Sequence, residues 1–445
     1  MFTAVMYTTV VSVAMLLLQV INVEGWSAAN ELSIRSTKFA AASYDRLVRP
    51  ADVMTVKVGI SLISINDVSM VDQSMSVTGW LTVEWEDSRI IWTPASEGNV
   101  DHIYALDKEI WKPELFIDNS VDDVSILQDD NLLFRVTETG RVDWEMPQIF
   151  VTSCTIDTTY YPFDTQECAI DVTSWAYTQA ELVLTHLRDK VNTEDLGENG
   201  EWTFTNSRIE TSSIQETTVN GVVETFSLLK FIIVLTRRYD FYMTNVVLPV
   251  VLTSFLIVLV FVLPVDSGEK VSYALTVLLA LAVLLTLIAD SMPNTSLNVS
   301  IMSVYLAFTL IMGVLAVGLS VVVLRLHHKD PAEPVPAFLQ AITKGVFVRI
   351  GCWRGCCRGC CRGGGCCKRR NDRVEEINKE SNAVDTAQNE AGSSEEVCSD
   401  YSWTEIAAIF DWFLFVVFFF VTCVVSVMFL VLLRVGGAIK EASAS

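Results

Sequence analysis

The chain has 445 residues, 51% of them hydrophobic, and a formal net charge of −22. That is too apolar for a soluble protein and too charged for one embedded wholly in a membrane, so a water-soluble domain joined to a helical bundle is expected. The negative charge argues against nucleic acid as a partner and suits attraction of cations. Four histidines in no metal-ligand spacing, with no phosphate loop, nucleophile elbow or zinc-protease motif, argue against metal, cofactor or enzyme chemistry.

Residues 1–25 are an apolar run of signal-peptide length that turns polar near Asn22–Gly25; because no Lys or Arg precedes its core, an uncleaved anchor is the alternative. Residues 26–241 open with an Ala-rich segment compatible with a short helix. Alternating runs rich in β-branched and aromatic residues follow at Met75–Trp85, Asn131–Met146 and Phe226–Arg238, separated by turn formers. Many short strands without a long helical pattern between them predict an all-β, immunoglobulin-like antiparallel sandwich. Cys154 and Cys168, which enclose thirteen residues, are the only cysteines of this region. In an oxidising compartment such a pair is expected to be a disulfide, worth about 3 kcal/mol for a loop of this size.

Four apolar spans follow: Asn245–Leu263 with Pro249 inside it, the stretch 268–290, Val299–Leu324 and Trp412–Leu433. The resulting plan is three spans within 242–325, an intracellular loop over 326–404, a fourth span over 405–434 and a tail over 435–445. With the amino terminus outside, an even number of spans returns the carboxyl terminus outside, and Arg325, Lys329 and the basic block at Arg354–Arg373 keep the loop in the cytosol. Within that loop Pro336–Ile350 is amphipathic and is expected to lie along the lipid surface. Seven cysteines between Cys352 and Cys367 stand among glycines and arginines, a pattern that fits palmitoylation beside a basic patch better than zinc binding. The following Asn371–Glu396 is polar and acidic.

The second span is not uniformly apolar. At steps of three and four, one face carries Glu269, Ser272, Thr276, Leu279, Val283, Leu287 and Asp290. Carboxylates at both ends and hydroxyls near the first gain nothing from lipid, whereas an ion pathway needs them. Copies around an axis would turn each position into a ring: acidic rings that concentrate cations, and Leu279 and Val283 rings that close by dewetting. The alternative is that the charges only mark helix ends and the hydroxyls bond back to their own helix.

The segment from Cys154 to Cys168, which includes Tyr161-Pro162-Phe163-Asp164, closely resembles the disulfide loop of the Cys-loop receptors, the pentameric ligand-gated ion channels. Leu47–Pro50, Trp80 with Trp85, Trp111-Lys112-Pro113, Ser174-Trp175, Arg237-Arg238, Pro249 and the pore stretch follow in that family's order, and the nicotinic acetylcholine receptor branch is the most similar. The resemblance implies a plasma-membrane homopentamer, or a heteropentamer, that conducts monovalent cations when a small-molecule agonist binds between subunits. Glu269, followed by Lys270 without the proline insertion of anion-conducting members, points to cation selectivity.

In that family the agonist occupies an aromatic box. Trp175 matches the central tryptophan, Trp80 the one given by the neighbouring subunit, and Phe226 an aromatic of the capping loop; Asp143 and Trp144 lie on the strand lining the neighbour's side. Two features depart. Asp118 stands where a tyrosine is usual, and the capping loop Gln215–Thr225 has neither an adjacent cysteine pair nor a tyrosine. Another cationic amine with Asp118 as counter-ion, a different small molecule, or an accessory subunit that does not conduct alone are therefore all expected before acetylcholine. Ser300, where a proline is usual, marks a further departure.

Overall fold

The computed structural model describes residues 27–343 except 41–43, 123, 125, 128–131, 218, 294–297 and 332, together with 345 and 401–444. The signal-peptide run, the cysteine-rich block, the acidic stretch and residues 344 and 346–350 of the amphipathic segment lie outside the described residues. The chain forms two compact units. The first runs to Tyr239 and takes in Asp290–Asn298 and Arg434–Ser445; the second comprises Asp240–Ala289 and Val299–Leu433.

The first unit begins with helix α1, Ala28–Lys38, which buries Ile34. Among the described residues ten strands follow: β1 Met54–Ser69, β2 Ser74–Glu86, β3 His102–Leu106, β4 Leu115–Ile117, β5 Leu133–Thr137, β6 Arg141–Ser153, β7 Thr165–Ser174, β8 Leu182–His186, β9 Trp202–Thr217 and β10 Val223–Arg237. They form two sheets, of order β3-β5-β6-β2-β1-β8 and β4-β7-β10-β9. The pairings are antiparallel except β1 with β8.

Alternation builds the core. On β2 Met75, Val77, Leu81, Val83 and Trp85 point inward and are buried, while Trp80, Thr82 and Glu84 point out. The sequence run Asn131–Met146 resolves into two strands because Gly140 turns the chain between β5 and β6. Trp85 packs edge-on against Trp111 at 6.1 Å and Phe134 at 5.9 Å, so both tryptophans serve the core.

The expected disulfide joins Cys154, just beyond β6, to Cys168 on β7. Its loop carries Asp164, which accepts from Arg237 Nε at 2.8 Å; both side chains are fully buried. The guanidinium also lies 4.2 Å over Trp202 and contacts Glu201. Within the same unit, Arg434 stands over Phe163 and Tyr239 at 4.9 and 4.6 Å, and Lys440 pairs with Asp157 at 2.6 Å.

Among the described residues, four helices are long and apolar enough to cross a membrane: α2 Asp240–Val262, α3 Lys270–Asp290, α4 Ile301–His327 and α6 Trp403–Ala444, of which Asp290 and the residues from Arg434 onward belong to the first unit. A short α5, Ala337–Ile342, lies between the last two. Pro249 lacks the N–H that would bond to Asn245, and the backbone before it widens into a π turn over Met243–Val247. Between α2 and α3 Gly268 adopts φ 73°, a left-handed geometry that glycine meets without strain. Tyr305 ties three helices together, its hydroxyl 3.0 Å from Ser254 Oγ and 2.9 Å from Ser426 Oγ.

α6 extends further than the sequence plan of a span over 405–434 and a separate tail. Nothing in 435–444 breaks the helix: the two glycines Gly436 and Gly437 cost about 1 kcal/mol each, too little to stop a helix of 42 residues.

Candidate ligand-binding face and pore-lining helix

The outer face of the four-stranded sheet is a grid whose rows follow from strand register. Phe116 stands opposite Thr173, Thr173 opposite Leu228, and Leu228 opposite Ser212. One step along, Phe226 stands opposite Ile214; a further step brings Glu224 opposite Glu216. Trp175, immediately after β7, is 58% exposed and meets Phe116 edge-on at 5.2 Å. Asp118 follows β4, its N–H held by Asp171 O at 2.8 Å. Phe116, Asp118, Trp175, Glu216 and Phe226 line one cavity of about 160 Å³. Asp118 and Glu216 come from strands at opposite edges of this sheet, and both line the cavity.

Electrostatics in this cavity are negative. Loss of water around Asp118, then the charges of Asp171 and Glu216, hold its pKa above the ordinary carboxylate value, with Lys230 opposing them. Lys230 is already paired to Asp171 at 2.9 Å.

The outer face of the six-stranded sheet carries a second cavity, of about 630 Å³, lined by Trp80 and Asp143 among others. Trp80 is 42% exposed there, and Asp143 pairs with Arg141 at 3.1 Å. Trp144 does not join them. It is 1% exposed and packs against Phe134 at 5.4 Å, because Val142, Trp144 and Met146 occupy the inward positions of β6. Its expected ligand role is therefore corrected to a core role; Asp143, one residue earlier, keeps the outward place. One chain brings Asp118, Trp175 and Phe226 together on one sheet and Trp80 with Asp143 on the other.

On α3 the side chains sort by face as expected. Ser272, Thr276, Leu279, Val283, Leu287 and Asp290 are exposed, as is Glu269 just before the helix, whose carbonyl accepts from Tyr273 N–H at 2.9 Å. Lys270, Ala274, Val277, Leu281 and Ile288 are buried. The Thr276 hydroxyl does bond back to Ser272 O at 2.9 Å, and it stays on the exposed face. One step from Glu269, Lys270 turns inward, where its ammonium reaches Asp411 Oδ2 of α6 at 2.6 Å.

Two family models match: the neurotransmitter-gated ion-channel ligand binding domain over residues 35–239, and the neurotransmitter-gated ion-channel transmembrane region over 246–354. The human neuronal acetylcholine receptor subunit alpha-3 is 31% identical over 76% of this chain and 67% of its own length. The chain belongs to the neurotransmitter-gated ion channels. Neuronal acetylcholine receptor subunits alpha-2 of rat and chicken are 35% and 34% identical over 67% and 71% of this chain. The chain spans 58% of the rat subunit's length. These relatives of the channel-family chain are receptor subunits rather than enzymes.

Sequence reasoning missed four residues that the channel fold brings into play. Phe116 lies two before Asp118, on the same strand face, and Glu216 and Glu224 flank the capping turn at positions that alternate with the core-facing side of β10. The period-two rule applied to both arms of the hairpin would have found them. Asp411 carried no such signal, since only the packing of α6 against α3 gives it Lys270 as a partner.

Proposed function

We propose that this chain is a subunit of a cation-selective pentameric channel of the plasma membrane, simplest as a homopentamer with both termini outside, opened by a small molecule other than acetylcholine. The carrying observation is the exposed stripe on α3, which joins a carboxylate at each end to hydroxyls and three apolar residues, Leu279, Val283 and Leu287. A single subunit has no use for such a stripe. Around a five-fold axis it becomes a wall in which Glu269 concentrates monovalent cations at a narrow mouth and the apolar rings close the path by dewetting. Lys270 does not cancel the Glu269 ring, because its charge is turned away and paired with Asp411.

Agonist recognition is assigned to the subunit boundary, with Asp118, Trp175 and Phe226 from one subunit facing Trp80 and Asp143 from the next. The separation of these groups on two sheets of one chain supports this placement.

Reversal potentials in sodium and chloride gradients test the reading. The channel is expected to follow the cation gradient, with Glu269→Ala weakening the preference more than Asp290→Ala, since the outer mouth is wider and better screened. A chloride-following potential in the unaltered channel refutes cation selectivity. A second reading, an accessory subunit, draws on the capping hairpin's lack of a cysteine pair and tyrosine; current from the chain expressed alone removes it.

A further inference from the structure

The agonist face carries more negative charge than its neighbours neutralise. Among the described residues, Asp118, Glu216 and Glu224 have no ion-pair partner. Glu216 and Glu224 stand directly opposite each other across β9 and β10. Like charges so placed, with Cβ atoms about 5 Å apart, destabilise a hairpin. Asp118 and Glu216 line the same small cavity, where loss of water already makes ionisation of Asp118 harder. A charge deficit of this kind is relieved by a bound cation.

The walls decide which cation. Phe116, Trp175 and Phe226 share the cavity with the two carboxylates. A hard metal ion gains little from ring faces and needs six or more oxygens at about 2.4 Å, whereas an organic ammonium is attracted to them. Among ammonium groups the carboxylates discriminate further. A quaternary nitrogen offers no N–H, so it leaves carboxylate lone pairs without hydrogen bonds in a partly dry site; a primary ammonium donates three, each charge-assisted.

We infer that the cavity selects a primary ammonium over a quaternary one, its N–H groups donated to Asp118 and Glu216 while the three rings face its charge and Glu224 adds to the field. This inference rests on the reading of this face as the agonist site.

The test is calorimetry on the purified full chain with 2-phenylethylamine and its N,N,N-trimethyl derivative at equal ionic strength. The primary amine is expected to bind at least tenfold tighter. Glu216→Gln and Glu224→Gln each alter a side chain outside the core, so the fold should survive them. Glu216→Gln should shrink the preference several-fold, Glu224→Gln should lower both affinities together, and Trp175→Ala should weaken both amines.

Equal affinities, tighter binding of the quaternary amine, or a preference untouched by Glu216→Gln would each overturn the inference. Absence of binding by either amine overturns it as well. That outcome leaves the channel reading standing or falling on the current measurements, which do not depend on amine binding.

Discussion

Lys270 and Asp411 form an ion pair at the first turn of α3, and its removal has a calculable cost. The Lys270 side chain is fully buried and that of Asp411 is 11% exposed, with the ammonium 2.6 Å from Oδ2 and 5.8 Å from the Phe261 ring. Asp411→Leu leaves that ammonium without its carboxylate in surroundings that hydrate it poorly. Breaking one side of such a pair costs about 3–5 kcal/mol, a large fraction of the roughly 5–15 kcal/mol that holds a typical fold. Replacing both by leucine removes the two desolvation penalties along with the attraction, and is expected to fall within about 1 kcal/mol of the unaltered protein or above it. The assay is thermal unfolding of the purified channel in detergent for both single variants and the double, read as a double-mutant cycle. A coupling of about 3 kcal/mol or more supports the pair. Single variants as stable as the unaltered protein, or a double variant that merely adds their losses, would refute the reasoning.

Leu279→Ser should wet the apolar constriction and raise spontaneous current, because closure then loses part of the surface that expels water; unchanged resting current counts against this gate position. Trp144→Ala should cost about 3–5 kcal/mol and appear as lost surface expression, whereas Trp80→Ala should spare folding and weaken agonist binding. A pH dependence follows from Asp118, whose folded pKa is raised. Its ionisation penalises folding as pH rises through that value, the penalty being absent below the unfolded pKa. Acidification through the raised value should neutralise it and reduce amine-evoked current, and Asp118→Asn should flatten that part of the profile.

Much of this protein is legible in its amino-acid order because local periodicity carries it. Period-two alternation predicted a sandwich, as at β2, where every second residue from Met75 to Trp85 points inward. Hydropathy and length mark the four long apolar helices of the described residues, and the 3.6-residue period puts Thr276, Leu279 and Asp290 on one face of α3, in line with Glu269 just before it. The cysteine pair, isolated in its region, left one partner for each thiol.

Tertiary structure decided what periodicity leaves open. Trp144 and Asp143 are neighbours on one strand; which of them points outward depends on the strand's register within the sheet, and a shift of one residue exchanges them. Asp411 reads as an ordinary charge near a helix end until α6 packs against α3 and hands it Lys270. Glu216 and Glu224 lie eight residues apart and become opposed only through the hairpin's pairing, and Asp118, about a hundred residues earlier, shares a cavity with Glu216 only through the order of strands in the sheet. Faces are set by backbone geometry within an element, and so are written in the sequence. Partners are set by the packing of elements against one another, which a single chain read in order does not contain.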